Sequence, residues 1–405
     1  MTKLLIVLSL LAGHSAEWRY VADALAAKHA NEANVVFACV DPTNSLEVLR
    51  RERPRYVAFV MPPSEISEGA VSQLREIVRN VDDDPFDDAI WGIVTGPTPS
   101  DAYRIASSRE PSQLRTMLAT TGVGEDAVPG AITVLSDAYP KGEWWQKDNG
   151  GNISRHSTTG EMVSAFVDAW NTIDPDILLT SSHATEHNLE MPFSMGMIVA
   201  APSGDRRFAV CNVVRTPGAD GVKDGVAWEM CETPRIMPAQ REKVWLAAGN
   251  CLIANHVDDH DMVMTALSFG KVNQFVGYTK PTWFGFVGWN TWAFFNAGAP
   301  LSDSFFAANQ WLNLKLATRD YKDEKEFNGL LWDRDATVFY GDPMQKIGLG
   351  GAIGNTGAQK PLSPMVVVFP ESSSMRAQPT PPPGYSVYAA DDFALFLPAP
   401  PTPQR

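Results

Sequence analysis

Four short, almost wholly apolar runs lie in the first hundred residues, and each gives way to a stretch with helical spacing. The runs are residues 4–11, 34–40, 55–61 and 89–95, and the stretches between and after them are 16–30, 44–51, 68–79 and 100–107. No other feature constrains the chain as much. Strands covered on both faces have no polar side to show, so they read as continuous apolar runs. Their alternation with helices predicts a doubly wound α/β layer. In 16–30 the apolar positions Trp18, Val21, Ala22, Leu25 and Ala26 recur at helical spacing. Residues 1–16 also fit a short secretory leader, with Lys3 before the apolar run and small residues after it. The run is too short to cross a bilayer. Because the rhythm continues for a hundred residues, a first strand is expected here, and with it a cytoplasmic chain. A secreted chain follows if residues 1–16 are removed.

The rhythm resumes after a polar connection at 109–130. Strands are expected at 131–136, 176–181, 243–248 and 272–278, with helices at 158–171, 258–269 and 302–316. Trp144 and Trp145 fall in a loop, residues 195–238 are β-rich and loop-rich, and an aromatic loop holds Phe284, Phe286, Trp289 and Trp292. Beyond residue 348 the chain turns Gly- and Pro-rich, with short strand-like runs at 366–368, 386–388 and 393–397. The 405 residues therefore divide into an α/β lobe (1–125), a second α/β lobe (126–349) and a small β/Pro-rich appendage (350–405) that packs on the second lobe.

Composition narrows the function. Lys plus Arg is 33 against 47 for Asp plus Glu, a net charge of −14. That excludes a nucleic-acid partner, since such a chain repels phosphate backbones. No membrane insertion is expected, and the oligomeric state is open. None of the four cysteines forms a CxxC pair. Cys39 and Cys211 sit in apolar runs and read as core, while Cys231 has no assignment. The acidic turn at 82–88 reads as a solvated loop. Calcium is its alternative, although the turn lacks the Gly and terminal Glu of an EF-hand. No cofactor is otherwise expected.

Two constellations carry chemistry. His183, Glu186 and His187 match H-x-x-E-H, which on a helix gives two imidazole zinc ligands and a general base, with His256 or His260 as a candidate further ligand. The competing reading pairs His183 with Cys251. Each follows a short apolar strand, and the C-terminal ends of parallel strands share the edge where α/β proteins place their sites. Imidazole is the usual activator of a thiol. Ser182, Ala184 and Gly249 leave room for a substrate backbone, and the N–H groups of Ala184 and Cys251 can form an oxyanion hole.

The blocks ILLTSSHAT and VWLAAGNCL resemble, in that order, the His and Cys blocks of the gingipain-type cysteine peptidases, a family of the caspase-fold clan. SFGKVNQFVGYTKPTW, LSDSFFAANQWL and ATVFYGDPM follow in matching order, and DDDPFDDAIWGIVTGPTPSDAYRIA resembles the family's acidic block. The resemblance spans about residues 4–349. It implies a caspase-like fold of two adjacent doubly wound lobes, a protein or peptide substrate, and His183 and Cys251 as catalytic residues. It further implies Asp101 as a residue that orients the histidine, and Trp283 beside the substrate pocket. This chain has Ala184 where the family has Gly after the histidine, and Gly92 is followed by Ile93 where the family has Arg. These departures, with the Pro-rich tail, raise a third reading: a non-catalytic binding member of the fold.

Overall fold

The computed structural model describes residues 2–109, 113–201, 206–211, 231–232, 236–282, 284–349, 365–368, 385–389 and 393–398. In chain order the first elements are β1 (Thr2–Leu8), α1 (Leu10–His14), α2 (Ala16–His29), β2 (Ala33–Cys39), α3 (Leu46–Glu52), β3 (Tyr56–Val60), α4 (Glu68–Arg79), β4 (Ile90–Val94) and α5 (Pro99–Ser107). Next come β5 (Gln113–Leu114), β6 (Met117–Ala119), β7 (Ile132–Leu135), β8 (Glu143–Lys147), β9 (Ile153–Ser157), α6 (Val163–Ile173) and β10 (Ile177–Thr180). A small β region holds β11 (Asn188–Glu190), β12 (Met197–Ala200), β13 (Phe208–Cys211) and β14 (Cys231–Glu232). The remainder is β15 (Lys243–Ala247), α7 (Met262–Leu267), β16 (Val272–Tyr278), α8 (Phe286–Asn296), α9 (Leu301–Thr318), α10 (Glu324–Arg334), β17 (Thr337–Tyr340), β18 (Gly348–Leu349), β19 (Met365–Val368), β20 (Tyr385–Ala389) and β21 (Phe393–Pro398).

Twelve strands form one continuous sheet, ordered β2-β1-β3-β4-β17-β16-β15-β10-β6-β7-β8-β9. The first five are mutually parallel. β16 is antiparallel to β17, and β16, β15, β10, β6 and β7 are parallel to one another. The sheet is thus two parallel sets of five strands running in opposite directions, joined at β16–β17, with the antiparallel strands β8 and β9 at one edge. Two α/β halves were expected; the structure merges them into one sheet. β6, inside the expected polar connection, is a buried strand of the second set between β10 and β7.

The first apolar run ends earlier than its hydrophobicity suggests. Ser9 caps α1, accepting the Ala12 N–H, so the chain turns helical at Leu10. β1 pairs on both sides, and Leu4 to Leu8 are buried. Cys39 is not core. It lies exposed on β2, an edge strand with only one neighbour. Cys211 is buried but disulfide-bonded, and the ladder sets it opposite Cys231. Trp144 and Trp145 lie in β8 rather than a loop. The expected aromatic loop is largely α8, a helix apolar all round because it packs between α9 and the sheet. The C-terminal strands form a three-stranded sheet, with β19 against α9.

Candidate active site

β10 and β15 are neighbours in register, Thr180 opposite Ala247. His183 follows the first strand by three residues and Cys251 follows the second by four, so both leave the same edge of the sheet. Neighbouring strands lie about 4.8 Å apart, which makes the two connections direct neighbours. Asn250, fully buried, ties them. Its side-chain carbonyl accepts the Thr180 hydroxyl at 2.5 Å, and its amide donates to the Ser182 carbonyl at 2.7 Å. Gly249 permits the approach, since a Cβ there would collide with the Ser181 hydroxyl. Asn250 was not foreseen; its position directly before the cysteine was the available signal.

The segment after His183 folds back as a hairpin rather than a helix. The His183 carbonyl accepts the Glu190 N–H at 2.9 Å, and the Thr185 N–H donates to the Asn188 carbonyl at 3.1 Å. These bonds flank the bridged pair Ala184–Leu189. In such a pair the residues' own N–H groups point out of the ladder. The Ala184 N–H accordingly has no partner among the described residues, and neither has that of Cys251. His183 itself is exposed.

Cys251 is half-buried and faces the connection after β16. The Thr282 N–H donates to its sulfur at 3.3 Å, and the thiol lies 3.4 Å from the Thr282 carbonyl. Leu252, next in the chain, has φ of 58°, a left-handed conformation that costs a non-glycine residue energy and recurs at functional turns. From below, α8 presses on this turn. A side chain at Gly288 would strike the Ala248 carbonyl. The start of α8 is held by Asp333, which accepts the Val287 N–H at 2.6 Å and the Tyr278 hydroxyl at 3.2 Å. Burial pushes the Asp333 carboxyl up to about 6, against the lowering effect of those hydrogen bonds. Trp283 lies outside the described residues.

Asp101 is elsewhere. It closes the first turn of α5, where its N–H donates to the Thr98 hydroxyl at 3.2 Å and its carboxylate accepts that hydroxyl at 2.6 Å. One turn on, Arg104 donates to the Val272 carbonyl at the start of β16. The cysteine turn sits at the other end of that strand, where the Ala254 N–H donates to the Tyr278 carbonyl at 3.1 Å. A seven-residue strand is about 20 Å long, so Asp101 does not orient His183. The acidic block and β4 belong to the first parallel set, and the reversal at β16–β17 turns their C-terminal ends away from the site.

The zinc reading loses its geometric basis. His183 and His187 share a hairpin, not a helical face. His187 pairs with Asp258 at 3.0 Å and His256 with Asp261 at 2.6 Å. Among the described residues no group of three His, Cys, Asp or Glu side chains is placed to hold a metal ion.

No protein-family model matches the chain, and no curated protein does. Among solved structures, a crystal structure of the Arg-specific cysteine proteinase gingipain R matches with a TM-score of 0.51 at 9% identity, covering 98% of this chain and 91% of that one. The fold is similar to that of gingipain R. A structure described as a protease also matches, with a TM-score of 0.49 at 8% identity, covering 86% of this chain and 78% of that one. At such identity the likeness to gingipain R shows a shared fold alone and bears on no individual residue.

Proposed function

We propose that this chain is a cysteine-type endopeptidase. Cys251 attacks the scissile carbonyl of a protein or peptide substrate, and His183 takes the thiol proton and passes it to the leaving amine. The carbonyl oxygen, as it gains negative charge, is held by the N–H groups of Ala184 and Cys251. Water then resolves the acyl-enzyme, with His183 as base. The observation that carries this reading is the in-register pair β10–β15. It sets a histidine and a cysteine on adjoining connections, beside two N–H groups with no partner among the described residues. Ala184 serves where the family has Gly, because only its N–H is needed. The disulfide of Cys211 favours an oxidising compartment over the cytoplasm expected from the sequence.

The test compares wild type with Cys251→Ala on a peptide library. Turnover should fall by about 10³-fold or more, while the substitution of a half-buried thiol costs about 1 kcal/mol of stability. Equal turnover by both proteins overturns the proposal. Labelling of Cys251 by an electrophilic peptide at neutral pH separates the peptidase from a non-catalytic binding member, whose thiol stays inert.

A further inference from the structure

The far end of the sheet carries a groove with no part in the peptidase reading. α6 covers β6 and β7, and the groove is lined by α6 on one side and the hairpin β8–β9 on the other. Small side chains on α6, Ala165 and Ala169, keep the gap open. The groove encloses about 1000 Å³, at the upper end of small-molecule sites.

Its floor bears two stacked rings. Trp144 and His156 are cross-strand partners with centroids 5.3 Å apart and planes 19° from parallel. The His156 Nε2 is buried and has no partner among the described residues. His156 itself lines the cavity.

The charges of the lining largely cancel. The Lys147 ammonium is spent on the Glu125 and Val128 carbonyls, both at 2.7 Å. Arg241 pairs with Asp176 at 2.9 Å, and Asp148 accepts N–H groups of its own turn. Arg115 and Asp168, both exposed, remain as one charge of each sign without an ion-pair partner among the described residues. Half-used amides complete the set. Gln146 donates to Thr133 at 3.3 Å and keeps its carbonyl, and Asn149 accepts the Ala131 N–H at 3.1 Å and keeps its amide hydrogens. A phosphate ligand needs uncompensated positive charge, and an acyl chain needs a dry apolar wall. Balanced donors and acceptors beside an aromatic pair suit a ring that carries hydroxyls, each able to donate and accept, with a C–H face to lay on the indole.

We propose that the groove binds a neutral oligosaccharide, with Trp144 and His156 as the stacking platform and Gln146, Asn149, Asp168 and Arg115 as hydroxyl partners. The full-length chain is titrated calorimetrically with maltohexaose, cellohexaose and N-acetylchitohexaose. At least one should bind with Kd below about 1 mM. Trp144→Ala should weaken that binding about ten-fold or more. Because Trp144 also packs on the core, Asp168→Asn, at an exposed helix position, should weaken it about ten-fold with an unchanged melting temperature. Cys251→Ala should bind as wild type does, so the outcome is independent of the peptidase reading. The proposal is overturned if none of the three sugars binds, if binding survives both groove substitutions, or if inorganic phosphate displaces the sugar.

Discussion

The two ends of β16 are built from similar materials to opposite effect. At its start, Arg104 donates to the Asn273 side chain and to the Leu267 and Val272 carbonyls, while the Asn273 amide donates to Ser108 at 2.8 Å and to Glu242 at 2.6 Å. Each of these polar groups is engaged by its neighbours. At its finish, Thr282 and Asn250 hold Cys251 and the His183 connection in place, yet His183 is exposed and two backbone N–H groups have no partner among the described residues. A closed network contributes stability. Donors held rigid and without a partner cost stability and are kept where a reacting group completes them. Motif order drew attention to both ends, through Asp101 at one and His183 with Cys251 at the other. Saturation of hydrogen bonds is what separates them.

The sharpest test of this contrast is Asn250→Ala. It should lower peptide turnover by about 10²-fold, because a misplacement of about 1 Å between reacting groups costs that much. Stability should fall by about 1–3 kcal/mol from the buried partners left unpaired. Turnover equal to wild type would show that the two connections do not need the tie. Arg104→Ala probes the other end. A loss of about 2–3 kcal/mol in denaturant unfolding is expected, with kcat/KM of the folded protein unchanged. A fall in kcat/KM would erase the distinction between the ends.

Two buried aspartates give pH dependences of opposite sign. The native Asp333 holds its proton up to about pH 6, whereas the unfolded chain releases it near the ordinary aspartate value of 3.8. The native state therefore binds more protons between those values, and stability falls as pH rises through that window, by up to about 3 kcal/mol. Asp333→Asn should flatten that slope in urea unfolding at pH 4–7; an unaltered slope would place its origin elsewhere. Burial pushes Asp342 up, but Lys28 at 2.8 Å and His29 at 2.7 Å outweigh it and hold the carboxyl well below the usual range. Its stabilisation is complete above the ordinary aspartate value and is lost on acidification below it.

The smallest effect is expected for Asp101→Ala, which keeps the Thr98 cap but loses the hydrogen bond that the Thr98 hydroxyl donates to the carboxylate, worth about 1 kcal/mol, and leaves turnover unchanged. A ten-fold fall in kcat with unchanged stability would return Asp101 to the role the family resemblance implied.

Much of the fold was legible because buried parallel strands must be apolar throughout. The runs that became β1, β3, β4, β10, β15 and β16 could be read one at a time, and so could the placement of His183 and Cys251 just beyond two of them. Direction was not legible. Nothing local to residues 337–340 says that β17 runs parallel to β4 and antiparallel to β16, yet that pairing sends Asp101 to the far end of the strand. Neighbours decided the rest. Cys39 is exposed because β2 has one neighbour instead of two. Residues 286–296 are helical because α9 and the sheet bury a stretch with no polar face to mark its period. Residues 183–190 form a hairpin because Ala184 and Leu189 bridge. The chain alone determined which segments are buried and that His183 and Cys251 lie just beyond two of them. The tertiary structure decided which of those segments meet and at which end, because strand pairing depends on partners distant in sequence that local patterning does not encode.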